Sequence, residues 1–310
     1  MTPSPTSLER STPATAKPRR RPGGLRRSQY VAGILFALPV IILEGALLAV
    51  GIGQAIYYSF TRWDGIQSTW IGLANYQRLF GDPNFWRVVL NNLILLAAVP
   101  IAIAIPLLVA YVLNEHVLGW RFFRSAYFLP TAISWVVIGM VAIRVFSLDG
   151  VLNHVLRSVG LGGQTDLLSG EYSAMLAVAI VFIWSVFGTN TIIFITGMAT
   201  LDREVYEAAR VDGASGFTTF RRITIPMLTR FIQFAFILTL ITAFTALFSL
   251  IFVMTGGGPG FGSTTLEFYV YQQGFKVGAF GYAAAIGIVL FVIVFGISVA
   301  QLRLFRSRLD

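Results

Sequence analysis

Residues 172–199 read YSAMLAVAIVFIWSVFGTNTIIFITGMA, a run without one charged side chain. Crossing a hydrocarbon core of about 30 Å takes about 20 helical residues, so this run is long enough with some to spare. It lacks the strict polar–apolar alternation of a membrane β-strand. The segment therefore reads as a membrane-crossing helix. Working outward from it, five more apolar runs lie at approximately 30–58, 87–113, 122–146, 229–254 and 281–302. The expected fold is an all-α polytopic membrane protein with six transmembrane helices over residues 30–310. Pro39, Pro100, Pro106 and Pro130 are the kink points, each removing one intrahelical hydrogen bond. In the last run Gly281, Ala283, Ala285 and Gly287 permit close helix approach.

Composition agrees. Of 310 residues, 56% are hydrophobic and 12% charged, and the mean hydropathy is +0.74. Soluble domains carry about twice that charged fraction, so a water-soluble globule and a disordered chain are both excluded. Cysteine is absent and there are two histidines, His116 and His154. Disulfides, a Cys nucleophile and a metal cluster are not expected. The net charge of +9 comes from 23 basic residues, 21 of them arginine. Most flank apolar runs, which speaks for membrane orientation and against nucleic acid. Residues 1–29 are Pro-, Ser-, Thr- and Arg-rich and read as a disordered basic tail. The run after it is about twice the length of a signal-peptide core and reads as an uncleaved span.

Orientation follows from counting. The tail holds seven Lys/Arg, the 114–124 loop two, the 200–230 loop five and the C-terminal tail three, or 17 of the 23 on one side. Both termini and the loop between spans four and five are thus expected in the cytoplasm. That loop, 200–228, has its own local physics. Asp202 is placed to cap a helix, Glu204 complements its dipole, and Gly213 suits the left-handed residue that ends it. Ser215 then caps a second short helix, and Pro226 is expected to force a new start. Ala208 and Ala209 give the first helix a shallow face, with Glu207 and Arg210 at its edge.

Glu207-Ala208-Ala209, three residues, Gly213, nine residues, Ile223, one residue, Ile225-Pro226 resembles the EAA loop of importer-type ABC permeases. The family's usual leucine before the proline is Ile225 here. Met254-Thr255-Gly256-Gly257-Gly258-Pro259 and Ile71-Gly72-Leu73-Ala74-Asn75-Tyr76 are similar to further stretches of the carbohydrate (maltose and glycerol-phosphate) uptake group. The resemblance implies a permease whose EAA helix docks on a cytoplasmic ATPase subunit, with Glu207, Ala208, Ala209, Asp212 and Gly213 forming the coupling element. It implies a second homologous permease, two ATPase subunits, an extracytoplasmic solute-binding protein and a sugar substrate. No phosphate-binding loop is present: the two lysines, Lys17 and Lys276, both lack its glycine context. No catalytic residue and no cofactor is expected in this chain, ATP and magnesium being bound by partner subunits.

Polar groups inside spans are candidate pathway residues. Span four supplies Trp184, Thr189 and Asn190, and span five supplies Thr239, Thr242, Thr245 and Ser249. Thr242, Thr245 and Ser249 fall on one helical stripe, which beside a tryptophan suits a polyol. Interhelical packing is the competing reading of that stripe. Asn91 and Asn92 read equally as pathway residues or as caps near the external interface, and Trp86 as part of an aromatic belt. The alternatives are an importer of another solute, glycerol phosphate or a polyamine, and an ion-coupled carrier using Glu44, the one carboxylate deep in a span.

Overall fold

The computed structural model describes residues 23–114, 129–161 and 166–306. Most of the basic tail and the start of the third span, 122–128, lie outside the described residues. The chain divides into two compact units, Met1–Gly53 and Gln54–Asp310. The described part of the first is helix, belonging to α1 (Gly23–Ser59), which accommodates Pro39 in its interior.

The second unit begins with a hairpin in which β1 (Thr61–Trp63) pairs antiparallel with β2 (Ser68–Trp70). Asp64 makes its turn: Oδ1 accepts from the backbone N–H of Gln67 at 2.7 Å and of Ile66 at 2.9 Å. Those donors hold the Asp64 carboxyl below the usual carboxylate range. Helix α2 (Ala74–Gly81) contains the end of the Ile71–Tyr76 stretch. Buried Asn75 donates from Nδ2 to the carbonyls of Ser59 and Thr61, each at 2.9 Å, and the Tyr76 hydroxyl donates to Ser59 Oγ at 2.8 Å. Asn75 thus satisfies two carbonyls where the chain leaves a helix for the hairpin.

The bundle follows: α3 (Pro83–Asn114), α4 (Trp135–Phe146), α5 (Val151–Ser158) and α6 (Glu171–Met198). After α6 come the short loop helices α7 (Arg203–Val211), α8 (Gly216–Thr219) and α9 (Ile225–Met227), with a π turn at Phe220–Thr224. Then run α10 (Thr229–Thr245), α11 (Phe248–Met254), α12 (Leu266–Tyr271), a second π turn (Gln272–Lys276) and α13 (Phe280–Arg306). The main core joins Leu95, Val99 and Ala102 of α3 to Val178, Phe182 and Phe194 of α6 and Leu240 and Phe244 of α10. A smaller core at one end unites Leu79, Phe85, Leu266, Tyr269, Tyr282 and Ile286. Gly281 is required there, because a Cβ on it would collide with the Thr61 carbonyl.

Among the described residues, five helical segments are long and apolar enough to cross a membrane, one of them Trp135–Ser158, which combines α4 and α5. The sixth crossing departs from the expected unbroken 229–254. It bends by 73° between Gly216–Met227 and Thr229–Thr245, and it breaks again at Ala246–Leu247. Pro226 stands in the first turn of α9, the short helix that starts at Ile225, and the bend follows it at Leu228.

Candidate functional site

The 200–228 loop, expected to couple to an ATPase, is built from two capped turns. Helix α7 ends in a Schellman arrangement: Ala214 N–H donates to the Ala209 carbonyl at 2.9 Å and Gly213 N–H to the Arg210 carbonyl at 3.1 Å. Gly213 has φ +74°, a conformation that favours glycine. Ser215 caps α8, its Oγ accepting from Thr218 N–H at 3.3 Å. Asp202 stands at the N-cap of α7, but its side chain makes no cap hydrogen bond.

Of the two alanines only Ala208 lies on the outer face. Ala209 is 6% exposed and packs beneath the helix. Glu207, Ala208, Asp212 and Gly213 are exposed. Sequence reasoning missed two apolar neighbours, Val211 and Phe217, which are 88% and 72% exposed. Val211 lies four residues after Glu207, one turn along the same face, and that spacing was available in the sequence. Tyr111 ties the loop to α3: its hydroxyl donates to the Gly216 carbonyl at 3.1 Å and its ring meets that of Phe220 at 4.9 Å. Tyr206 and the buried Thr224 hydroxyl are hydrogen-bonded at 3.2 Å. The loop is therefore fixed both to the bundle and to the segment that bends into α10.

A cavity of about 250 Å³ opens among α4, α6 and α10, lined by Thr131, Trp135, Ser185, Thr189, Asn190, Thr239 and Thr242 with apolar neighbours. Four of the pathway candidates, Thr189, Asn190, Thr239 and Thr242, come together here. Trp184, Thr245 and Ser249 do not line it. Trp184 instead lines an apolar groove with Ile138, Val141 and Ile180. The stripe expected through Thr242, Thr245 and Ser249 is interrupted because the helix breaks between Thr245 and Phe248. The aromatic group at the cavity is Trp135, which follows the capping residue Ser134. Among the described residues, no charged side chain lines the cavity.

Asn190, 1% exposed, has both amide protons engaged in the core. Its Nδ2 donates to the Ala102 carbonyl at 2.8 Å and to Thr239 Oγ1 at 3.0 Å. Ala102 lies four residues before Pro106, which has no N–H to offer it. Asn190 replaces that missing donor and stitches α3, α6 and α10 together. The hydroxyls of Ser185 and Thr242 donate back to the Val181 and Leu238 carbonyls, at 2.7 and 2.8 Å. Their oxygens remain as acceptors toward the cavity.

At the opposite end of α6 the Gly256–Pro259 stretch is held by its neighbours. Thr264 Oγ1 donates to the Gly257 carbonyl, and Ser263 Oγ to the Gly258 carbonyl, each at 2.8 Å. Asn91 and Asn92 are not helix caps. Asn91 Nδ2 donates to the carbonyls of Phe261 and Thr264, at 2.8 and 2.9 Å, and Asn92 Oδ1 accepts from Leu266 N–H at 2.8 Å. Tyr269 donates to Asp82 Oδ2 at 2.8 Å, and burial, then this bond, push its phenol up. Glu267 Oε2 accepts from Leu247 N–H at 3.1 Å across the break in span five. Burial pushes the Glu267 carboxyl up to about 7, against the lowering effect of the Leu247 and Phe248 N–H groups. Trp86 is half exposed, and its indole N–H donates to the Phe80 carbonyl at 2.9 Å.

Residues 105–307 match the family described as "Binding-protein-dependent transport system inner membrane component". The chain is 32% identical to the multiple sugar-binding transport system permease protein MsmF of Streptococcus mutans, over 89% of this chain and 95% of the relative. It is 32% identical to the lactose transport system permease protein LacF of Rhizobium radiobacter, over 92% and 97%. The fold is similar to that of a bacterial ABC transporter involved in the import of alginate, with a TM-score of 0.76 and 23% identity over 92% of this chain and 97% of that one. With its apolar helices, the chain belongs to the binding-protein-dependent transport system inner membrane components, the multi-pass permease subunits of ABC importers.

Proposed function

We propose that this permease conducts a neutral sugar, pairing with a second, homologous permease, two cytoplasmic ATPase subunits and an extracytoplasmic solute-binding protein. The observation that carries the sugar is the cavity: hydroxyl acceptors and the indole of Trp135 in one lining, with no charge among its described residues. A polyol needs such acceptors for its O–H groups and an apolar platform for its C–H face. A phosphate ester would call for arginines, and a polyamine for carboxylates. Relatives named for multiple sugars, lactose and arabinooligosaccharides support the same substrate class. On this reading both termini and the coupling loop face the cytoplasm, in accord with the 17 basic residues on that side. Glu207, Ala208, Asp212 and Gly213, with Val211 and Phe217, present the surface an ATPase grips. Ala209 supports that surface from below. ATP and magnesium belong to the ATPase subunits.

The test is uptake into proteoliposomes holding the complete transporter, with labelled mono- and oligosaccharides, glycerol phosphate and a polyamine offered in turn. ATP- and binding-protein-dependent accumulation of a neutral sugar, undiminished by a protonophore, is the expected result. Accumulation that follows a proton gradient without ATP would overturn it.

A further inference from the structure

Span five is hinged at both ends. At the coupling-loop end it bends by 73° at Leu228. At the other it breaks where the sequence has neither glycine nor proline, through Thr245-Ala246-Leu247-Phe248. A helix that restarts inside a bundle must find acceptors for its first N–H groups. Glu267 supplies one at 3.1 Å to Leu247, and the N–H of Phe248 acts on the same carboxyl. Glu267 is itself well anchored. Leu266 before it is bound to Asn92 of α3, and Tyr269 after it to Asp82. The carboxyl therefore joins a fixed platform at the end of the bundle to the end of α10.

No ion pair to Glu267 is formed by the described charged groups on the elements packed against α12. Lys276 places Nζ 5.8 Å and 5.9 Å from the ring centres of Phe268 and Tyr271. Arg87 of α3 pairs with Glu171 at 3.7 Å. Arg230 and Arg303 lie near the coupling-loop ends of α10 and α13. Tyr271 stacks on Phe275, and Tyr282 lies under Arg78. Backbone N–H groups at the break are thus what the Glu267 carboxyl answers to. Close by in the chain, Phe275 and Val277 are 73% and 63% exposed.

We propose that Glu267 is a positioning residue for transport: by accepting the Leu247 N–H at the break, it transmits the position of the 255–279 segment to α10 and so to the 200–228 loop. This rests on the importer reading above, in which that segment faces the solute-binding protein.

The experiment measures binding-protein-stimulated ATP hydrolysis by the reconstituted complete transporter. Glu267→Ala should lower the stimulation at least about fivefold, the scale of a modest coupling free energy. Glu267→Gln keeps an acceptor oxygen and should retain part of it. Because a carboxylate accepts more strongly than an amide, the ratio of wild-type to Gln stimulation should climb as pH rises through about 7. If Glu267→Ala fails to assemble, this ratio alone decides. A ratio that stays flat with pH, or an Ala variant stimulated like wild type, overturns the proposal. A wild-type complex that no binding protein stimulates sinks the importer reading instead, and this inference with it.

Discussion

Pro106 and Asn190 act as one unit although 84 positions separate them in the chain. The proline leaves the Ala102 carbonyl without its helical donor, and Asn190 Nδ2 restores it at 2.8 Å. Asn190→Leu should cost about 1–3 kcal/mol of stability, the penalty for a buried acceptor left unpaired. Pro106→Ala returns the intrahelical bond, so the double variant should lose less than the two single losses added. Thermal unfolding of the detergent-solubilised complex reads this directly, and simple additivity would count against the pairing. Gly213 is a different case. A Cβ there meets nothing within 4 Å, so space is no obstacle. The cost lies in φ +74°, which for a β-branched residue is about 1–2 kcal/mol. Gly213→Val should abolish uptake while binding-protein affinity is kept, whereas Gly213→Asn, which tolerates the left-handed region, should retain most of it. Equal uptake by both variants would show that the corner's backbone is not what matters.

Among the elements, the coupling loop was the most legible and span five the least. Gly213 and Ser215 act through their own neighbours in sequence, so their roles as helix stop and cap were visible there. The break at Ala246–Leu247 has no local cause. Its Leu247 N–H finds an acceptor in Glu267, some twenty residues on, and no pattern within span five announces it. For the same reason the hydroxyl stripe read as continuous through Ser249. Trp184 and Trp135 were equally apolar in the sequence, and only the packing of α4 against α6 puts one at the cavity and the other at the groove. Asn91 and Asn92 lay in a helix's outer turns, and their partners at 261–266 are more than 160 residues away. The exposed pair Val211 and Phe217 carries the prediction at this scale. Replacing either with Asp should strip the ATPase subunits from the purified complex, because an apolar contact would have to bury a charge. Co-purification decides it, and full retention of the ATPases by both variants would place the docking surface elsewhere. The tie from Tyr111 to Gly216 should keep the loop folded in either variant, so loss of the partner would not mean loss of structure.

The whole molecule is a lever system only if its two ends face opposite compartments. The coupling loop and the Gly256–Gly278 segment lie at opposite ends of the 28-residue α6: a Cβ on Gly262 would clash with Glu171 at one end, and the loop leaves Met198 at the other. The basic residues, 17 against 6, support the proposed cytoplasmic side for the loop. The chain contains no cysteine, so an introduced thiol reports its own position without background. Val277 and Phe217 are both exposed and belong to opposite ends. In a chain carrying Val277→Cys, a membrane-impermeant maleimide should label intact spheroplasts. In one carrying Phe217→Cys, labelling should appear only after the membrane is opened. Bound ATPase should then protect the second thiol, and bound solute-binding protein the first. The reverse labelling would turn the coupling loop away from the compartment that holds ATP. A permease so oriented could not take its energy from nucleotide hydrolysis through this loop, whatever its sequence resembles.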